Sequence, residues 1–183
     1  MKSIKLLLIT LVILMGAGCA SVTKDIKVET EADPRMIFRN YHSYDWLATA
    51  EILHDPAGQW EPPGFDTDDE LRLLVDKQLQ KRGLKNNPAT PDLIVGFVMG
   101  VDMAALGVKL NPDTQELSLE NIPKGGLVVV LVDASTGYVV WTGVATANIQ
   151  EKPDADVVRK RLSYAVKEMF KSIPYEYKSS GGY

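Results

Sequence analysis

The sequence predicts an α+β domain with a mainly antiparallel sheet and two helices packed on one face. Short stretches of alternating apolar and polar residues, bounded by glycine, proline and aspartate, are typical of half-buried strands. Two longer stretches repeat apolar residues at helical spacing. The elements follow one another as strands, helix, strands, helix. This order favours helices gathered against one sheet.

Two strands are predicted before the first helix. Ile26, Val28 and Thr30 alternate with charged residues, which is the pattern of a strand with one buried face. A second strand is predicted over residues 40–47. Residues 48–66 contain five prolines and glycines, so no regular element is expected there.

The first helix is predicted from its ends. Thr67-Asp68-Asp69-Glu70 matches a capping box, in which Thr67 would accept from the backbone N–H of Glu70. Gly83 stands where a helix commonly ends in the left-handed conformation. The apolar residues between these ends recur at helical spacing: Leu71, Leu74, Val75 and Leu79.

The second half of the chain again has strands followed by a helix. An apolar run over residues 93–101, rich in β-branched side chains, predicts a buried strand, and residues 116–119 predict a short one. Residues 126–133 and 138–149 predict a hairpin joined by residues 134–137. The first arm is apolar on both faces, which indicates a central strand covered on two sides.

The last helix should begin near Asp154 or Asp156 and end before Pro174. Its apolar stripe consists of Val158, Leu162, Ala165, Val166, Met169 and Phe170. Residues 175–183, which include two serines and two glycines, predict a mobile tail.

Residues 1–18 have the composition of an export signal. Two lysines precede the apolar residues 6–15, and the small residues Gly16-Ala17-Gly18 follow. A membrane-spanning helix needs about 18–20 apolar residues, and this stretch ends in glycine after ten. We therefore expect cleavage between Gly18 and Cys19.

Cys19 is the only cysteine, and Gly16-Ala17-Gly18-Cys19 resembles a lipobox, although Gly16 replaces the commoner leucine. Lipid on this thiol would anchor the chain, whereas an ordinary secretory signal would leave an exposed, oxidisable cysteine. The expected organisation is a signal peptide over 1–18, a lipidated tether over 19–24 and one domain over 25–174. The domain then has no disulfide and depends on its core.

The mature chain is acidic. Removing residues 1–18, which contain two lysines and no acidic residue, lowers the formal charge from −4 to −6. Such a surface is repelled by phosphate backbones and by anionic head groups. We expect no nucleic-acid partner, and contact with the membrane through the lipid on Cys19.

No set of residues indicates catalysis, a metal or a cofactor. His42 and Ser43 would point to opposite faces of a strand, so they cannot share the hydrogen bond that a hydrolase needs. The acidic residues 66–70 lack the glycine and the final glutamate of a calcium loop, and helix-start carboxylates explain them better. A Gly-rich phosphate loop is absent. The expectation is a protein that is not an enzyme.

Six aromatic residues could form a surface for a sugar or a peptide: Tyr41, Tyr44, Trp46, Trp60, Tyr138 and Trp141. Core packing is the favoured interpretation for most of them. Trp60, between prolines and glycines, is the best candidate for an exposed contact residue.

Several short motifs follow one another in a characteristic order. They are Phe38-x-x-Tyr41-x-x-Tyr44-x-Trp46, Pro91-Asp92-Leu93, Gly126-Leu127 to Val132-Asp133, Trp141-x-Gly143 and Ile173-Pro174. Their order and spacing resemble one family of lipid-anchored envelope proteins, that of the domain of unknown function 4136. The resemblance covers about residues 26–174, and the chain departs from it at Thr142 and in a longer segment over residues 108–124. It implies a lipoprotein with an α+β domain and assigns no functional residue.

The leading functional hypothesis is a non-catalytic module that binds another envelope component, a protein or peptidoglycan. The alternative is a carrier for a small apolar or lipid ligand in a cavity between sheet and helices. Ala20 follows the cysteine where aspartate would favour retention at the inner membrane. The expected location is therefore the periplasmic face of the outer membrane.

Overall fold

The structure, a computed structural model, describes residues 22–47, 53–54, 64–100, 107–110, 117–120, 125–148 and 154–174. The helices are α1 (Thr67–Gln80) and α2 (Ala155–Met169), with 3-10 turns at Phe38–Asn40 and Phe170–Ser172. The strands are β1 (Lys27–Ala32), β2 (Ser43–Trp46), β3 (Leu53–His54), β4 (Lys85–Asn86), β5 (Leu93–Gly100), β6 (Gly107–Leu110), β7 (Leu117–Glu120), β8 (Gly126–Asp133) and β9 (Val139–Thr146).

Seven strands form one sheet in the order β1-β9-β8-β5-β2-β4, and β3 pairs with β5 farther along the edge that β2 occupies. The long strands β1, β9, β8 and β5 are antiparallel neighbours. The short strands β2, β3 and β4 pair in parallel. The α+β class and the mainly antiparallel sheet are confirmed.

Both helices contribute to one core on the same face of the sheet. Leu127, Val129 and Leu131 alternate along β8 and join that core, while Val128 lies on the other face. Val128 is nevertheless 2% exposed, because Val98, Val130 and Val144 pack around it. The prediction that this strand is central is confirmed, since β5 and β9 pair with it on its two sides.

The start of α1 differs from the prediction by one residue. Asp66, not Thr67, is the N-cap, and its side chain accepts from the backbone N–H of Asp69 at 3.1 Å. The predicted capping box at Thr67 is therefore wrong. At the other end, Gly83 adopts a φ of 90°, as predicted for the residue that ends the helix.

Helix α2 agrees with its prediction. Asp154 is the N-cap and accepts from the N–H of Asp156 at 2.7 Å. The helix passes into a 3-10 turn before Pro174. Of the predicted stripe, Val158, Ala165, Val166, Met169 and Phe170 are buried and Leu162 is partly buried against the core.

The remaining differences between the predicted and the observed elements concern short strands. The second strand is confined to Ser43–Trp46, because Phe38–Asn40 forms a 3-10 turn. A two-residue strand, β3, lies in the stretch where no regular element was expected. Strand β6 was not predicted, and it pairs with β7, which was.

Several predicted features lie outside the described residues. They are the signal peptide with Gly18 and Cys19, the residue Ala20, Trp60 and the tail over 175–183. Within the described ranges, neither helix combines the length and the apolar character that crossing a membrane requires.

Candidate functional site

The first described residues are held against α2. The Arg161 guanidinium donates to both carboxylate oxygens of Asp25, at 2.8 and 2.7 Å. It also donates to the carbonyls of Val22 and Asn148. The Asn148 N–H donates back to Asp25 at 2.9 Å. We call Val22, Asp25, Asn148 and Arg161 the N-terminal clamp.

The clamp is largely shielded from water. The Arg161 side chain is 11% exposed and the Asp25 side chain is 24% exposed. The hydrogen bond from Arg161 is the main cause that lowers the pKa of Asp25 to about 2, and the Asn148 N–H adds to it. The carboxylate is therefore charged, and the ion pair intact, at any physiological pH.

A second polar group lies at the opposite end of the sheet. We call it the polar edge, and it consists of Asp33, Tyr41, Ser43, Asp92 and Asp133. Asp92, directly before β5, accepts through Oδ2 from the N–H groups of His42 and Ser43, at 2.8 and 2.9 Å, and from Ser43 Oγ at 3.0 Å. These hydrogen bonds lower the pKa of Asp92. They fix the start of β2 beside the start of β5.

Asp133 closes the turn of the β8–β9 hairpin. Its Oδ1 accepts from Ser135 N–H, Ser135 Oγ and Thr136 N–H, at 2.6 to 2.9 Å. Its Oδ2 accepts from Tyr41 Oη at 3.0 Å. These donors, Ser135 Oγ foremost, lower the pKa of Asp133 to about 2. Burial and the same carboxylate raise the pKa of Tyr41 to about 12.

The side chains of the polar edge form hydrogen bonds with neighbouring groups of the protein. Ser43 Oγ interacts with Asp92 and the Thr90 carbonyl, and the His42 imidazole is exposed. Asp33 accepts from the backbone and the guanidinium of Arg35, at 2.8 to 3.1 Å, which lowers the pKa of Asp33. This geometry positions turns and strand ends.

The acidic residues at the start of α1 are likewise used locally. Asp66 caps the helix, Asp68 pairs with Arg72 at 2.8 Å, and the Glu70 carboxylate lies 3.5 Å from the Arg159 guanidinium. Over the described ranges, no three histidine, aspartate or glutamate side chains are grouped so that they could hold a metal ion.

Most of the aromatic residues are core residues, as predicted. Tyr44 and Trp141 are fully buried, and Trp46 is partly buried. Tyr44 Oη and Trp46 Nε1 both donate to one oxygen of Asp76, at 2.8 and 3.0 Å. These bonds attach α1 to β2. Trp141 donates to Ser172 at 3.0 Å and packs on Phe170.

Arg35 and Tyr138 are two large exposed side chains beside the polar edge. Arg35 is 67% exposed and Tyr138 is 55% exposed. The hydrogen bond and the charge of Asp33 raise the pKa of Arg35, and Tyr138 adds to this shift. Core packing, the favoured interpretation for this set of aromatic residues, is wrong for Tyr138.

Comparison with known proteins assigns the family. The sequence profile of the "Domain of unknown function (DUF4136)" matches residues 28–175. The chain belongs to the DUF4136 family. No match was found among functionally curated proteins.

The fold of this DUF4136 chain resembles several solved structures. A DUF4136 family protein from Bacteroides thetaiotaomicron superposes with a TM-score of 0.60 at 12% identity, over 83% of this chain and 97% of that chain. The PelC dodecamer subunit from Paraburkholderia phytofirmans gives 0.45 at 14%, over 79% and 97%. A minor lipoprotein from Acinetobacter baumannii gives 0.33 at 11%, over 73% and 93%. The first likeness supports the fold alone.

Proposed function

We propose that this DUF4136 protein is a lipid-anchored envelope protein whose domain serves as a non-catalytic interaction module. One observation carries the proposal: Val22, only three residues after Cys19, is already held against the domain by the clamp. A folded module directly behind a lipobox-like sequence is the arrangement expected of an anchored domain.

The proposed anchor is lipid on Cys19 after cleavage behind Gly18. Each buried methylene contributes ~0.8 kcal/mol, so several acyl chains, palmitate among them, hold the protein without a spanning helix. Replacing Cys19 with serine should abolish lipid labelling and move the protein to the soluble fraction. Sedimentation of Cys19→Ser with membranes after a high-salt wash would contradict the anchor.

The proposal of a binding module rests on how the polar groups are used. At the polar edge, Ser43, Asp92 and Asp133 are occupied by turns and strand ends. Beside them, Arg35 and Tyr138 are exposed, and arginine and tyrosine are residue types that often dominate binding energy at protein interfaces. We propose this exposed pair as the centre of the contact with an envelope partner, a protein or peptidoglycan.

A carrier of apolar or lipid ligands has less support. Such a protein needs a cavity of several hundred Å³. Here the layer between helices and sheet contains large side chains that are fully buried, among them Tyr44, Leu71, Leu131, Trp141, Met169 and Phe170.

Crosslinking in intact cells tests the contact surface. A photo-reactive phenylalanine derivative is placed at Tyr138 or, as a control, at Leu73, an equally accessible apolar side chain on α1. We expect a discrete adduct from position 138, none from position 73, and loss of the adduct in Arg35→Glu. Release by a muramidase would identify peptidoglycan. Identical patterns from both positions would refute the proposed surface.

The outer membrane is the proposed location, with the domain on the periplasmic face. The support is Ala20, because aspartate at that position favours inner-membrane retention. Density-gradient separation should recover the wild type with the outer membrane and Ala20→Asp with the inner membrane. Wild-type protein in the inner-membrane fraction would contradict this placement.

A further inference from the structure

The clamp and the polar edge mark opposite ends of the sheet. At the clamp end, Lys27 pairs with Thr146, and Gly126 pairs with Thr146 and Gly100. At the other end, Leu93 pairs with Asp133. Strands of eight residues at about 3.4 Å per residue separate the two ends by roughly 25 Å.

Covalent geometry limits how far the clamp can lie from the proposed lipid. Three peptide units connect Cys19 to Val22, and each advances the chain by at most about 3.8 Å. The α-carbon of Val22 is thus within about 11 Å of that of Cys19. The polar edge lies more than twice as far from Val22 as Cys19 does.

The clamp also fixes the direction in which the chain leaves the domain at Val22. Arg161 comes from α2, Asn148 follows β9, and Asp25 precedes β1, so three elements hold the first residues. The pairing of Arg161 with Asp25 is bidentate, which fixes direction as well as distance. A turn closed by the Ile26 N–H on the Thr23 carbonyl, at 3.1 Å, adds to this.

We infer that the Arg161 clamp sets the orientation of the domain on its membrane, with the clamp end facing the lipid head groups and the polar edge facing away. The inference rests on the proposed lipid on Cys19. A short connection that leaves the domain from one held point favours one orientation, whereas a long flexible tether lets a domain turn over. Arg35 and Tyr138 are thereby presented to the compartment and not to the bilayer.

Energy transfer in reconstituted vesicles tests the orientation. The full mature lipoprotein is inserted into phosphatidylethanolamine and phosphatidylglycerol vesicles that contain a head-group-labelled acceptor lipid. A donor dye is attached to a single new cysteine, either Lys24→Cys near the clamp or Ala134→Cys in the β8–β9 turn. The thiol of Cys19 is consumed by its thioether, so the dye reacts at one position.

The expected result is high transfer from position 24 and low transfer from position 134. In Arg161→Ala, transfer from position 134 should rise, because the released domain samples all orientations. The matched control is Arg159→Ala on the same helix, whose guanidinium faces Glu70 and Phe65 and not the clamp. It should leave both values unchanged.

Equal transfer from the two positions in the wild type would overturn the inference, as would Arg161→Ala without effect at position 134. If circular dichroism shows that Arg161→Ala is unfolded, Asp25→Ala removes the same ion pair from the other side. Vesicle flotation and the mass of the N-terminal peptide are measured first. Missing lipid would refute the proposed anchor, whereas equal transfer from a lipidated protein refutes only the orientation.

Discussion

Asp66 and Thr67 are adjacent residues of types that commonly cap helices, and the structure uses Asp66. The sequence pattern favoured Thr67, since Glu70 stands three residues later as a capping box requires. The actual cap needs only the Asp66 carboxylate and the N–H of Asp69. A choice between neighbouring caps depends on where the chain enters the helix, and local sequence does not contain that information.

Removing the actual cap should destabilise the domain. Asp66→Ala is expected to lower the free energy of unfolding by about 1 kcal/mol, because the N–H of Asp69 loses its acceptor. Thr67→Ala is the matched control and should change the free energy by no more than about 0.5 kcal/mol. Urea unfolding of both variants decides the matter, and a larger loss in Thr67→Ala would mean that the capping box forms after all.

Asp133 should make stability depend on acid. Its pKa falls from 3.8 to about 2 in the folded protein, so the folded state binds the proton less readily than the unfolded one. The stabilisation is therefore complete above about pH 4 and is lost as the pH falls towards 2. For a partly exposed carboxylate we expect about 1–2 kcal/mol from this shift.

The causes of this shift can be separated by titration. In Ser135→Ala the pKa of Asp133, followed by NMR, should rise more than in Tyr41→Phe, because Ser135 makes the larger contribution. In parallel, the stability difference between the wild type and Asp133→Asn should narrow between pH 5 and pH 2. A difference that is constant over this range would show that Asp133 acts only as a neutral acceptor.

Helices and long strands with a local pattern were predicted well. The apolar stripe of α2 and the β8–β9 hairpin need only periodicity and a turn, and both have the expected residues. Strands β3 and β4 have two residues each, which is too short for any periodicity. The parallel pairing of β2 with β5 depends on where α1 packs, and Asp76 fixes this through Tyr44 and Trp46. No local pattern indicates that contact.

The packing of α2 on β9 should be sensitive to one methyl group. A Cβ at Gly143 would lie 2.6 Å from the Trp141 ring and 3.1 Å from Met169, and both side chains are buried. Gly143→Ala should therefore cost about 1–3 kcal/mol through overpacking.

Gly96→Ala is the control for this prediction. Its added methyl group would lie at ordinary contact distance, 3.4 Å from Val130 and 3.7 Å from Leu47. Alanine is also favoured over glycine in a strand by roughly 0.5–1 kcal/mol, so this variant should be neutral or slightly stabilised. Equal thermal midpoints for the two variants would show that α2 can move away from the sheet at Gly143.

Polar contacts between distant parts of the chain help to hold the domain together, and none of them is predictable from local sequence patterns. Asp25 and Arg161 are 136 residues apart, and Arg82 and Ile173 are 91 apart. Asp25, Arg161 and Arg82 are ordinary charged residues in their own segments, and Ile173 accepts through its backbone carbonyl. The family resemblance did predict the extent of the domain, since the family profile matches residues 28–175 and residues 26–174 were expected. It could not indicate which charged side chains form ion pairs or hydrogen bonds with each other.

Arg82 joins the end of α1 to the end of the described chain. It is 3% exposed, and its guanidinium donates to Gln78, to the Phe170 carbonyl and to the Ile173 carbonyl. Lysine has a single ammonium group and cannot reach both segments with a planar fork. Arg82→Lys should lower the free energy of unfolding by at least about 2 kcal/mol, and Lys81→Ala, its exposed neighbour, by less than about 0.5 kcal/mol.

The same variant tests whether residues 25–174 unfold as one domain. Both helices and strands β1, β2, β5, β8 and β9 contribute to one core, so a loss at Arg82 should destabilise them together. Far-UV circular dichroism follows the helices, and in a Trp60→Phe background tryptophan fluorescence follows Trp46 beside α1 and Trp141 beside α2. In the wild type the two signals should change at the same urea concentration. In Arg82→Lys they should also change together, but at a lower urea concentration. Separate transitions in the variant would mean that α2 and the β8–β9 hairpin form a unit that unfolds independently of α1.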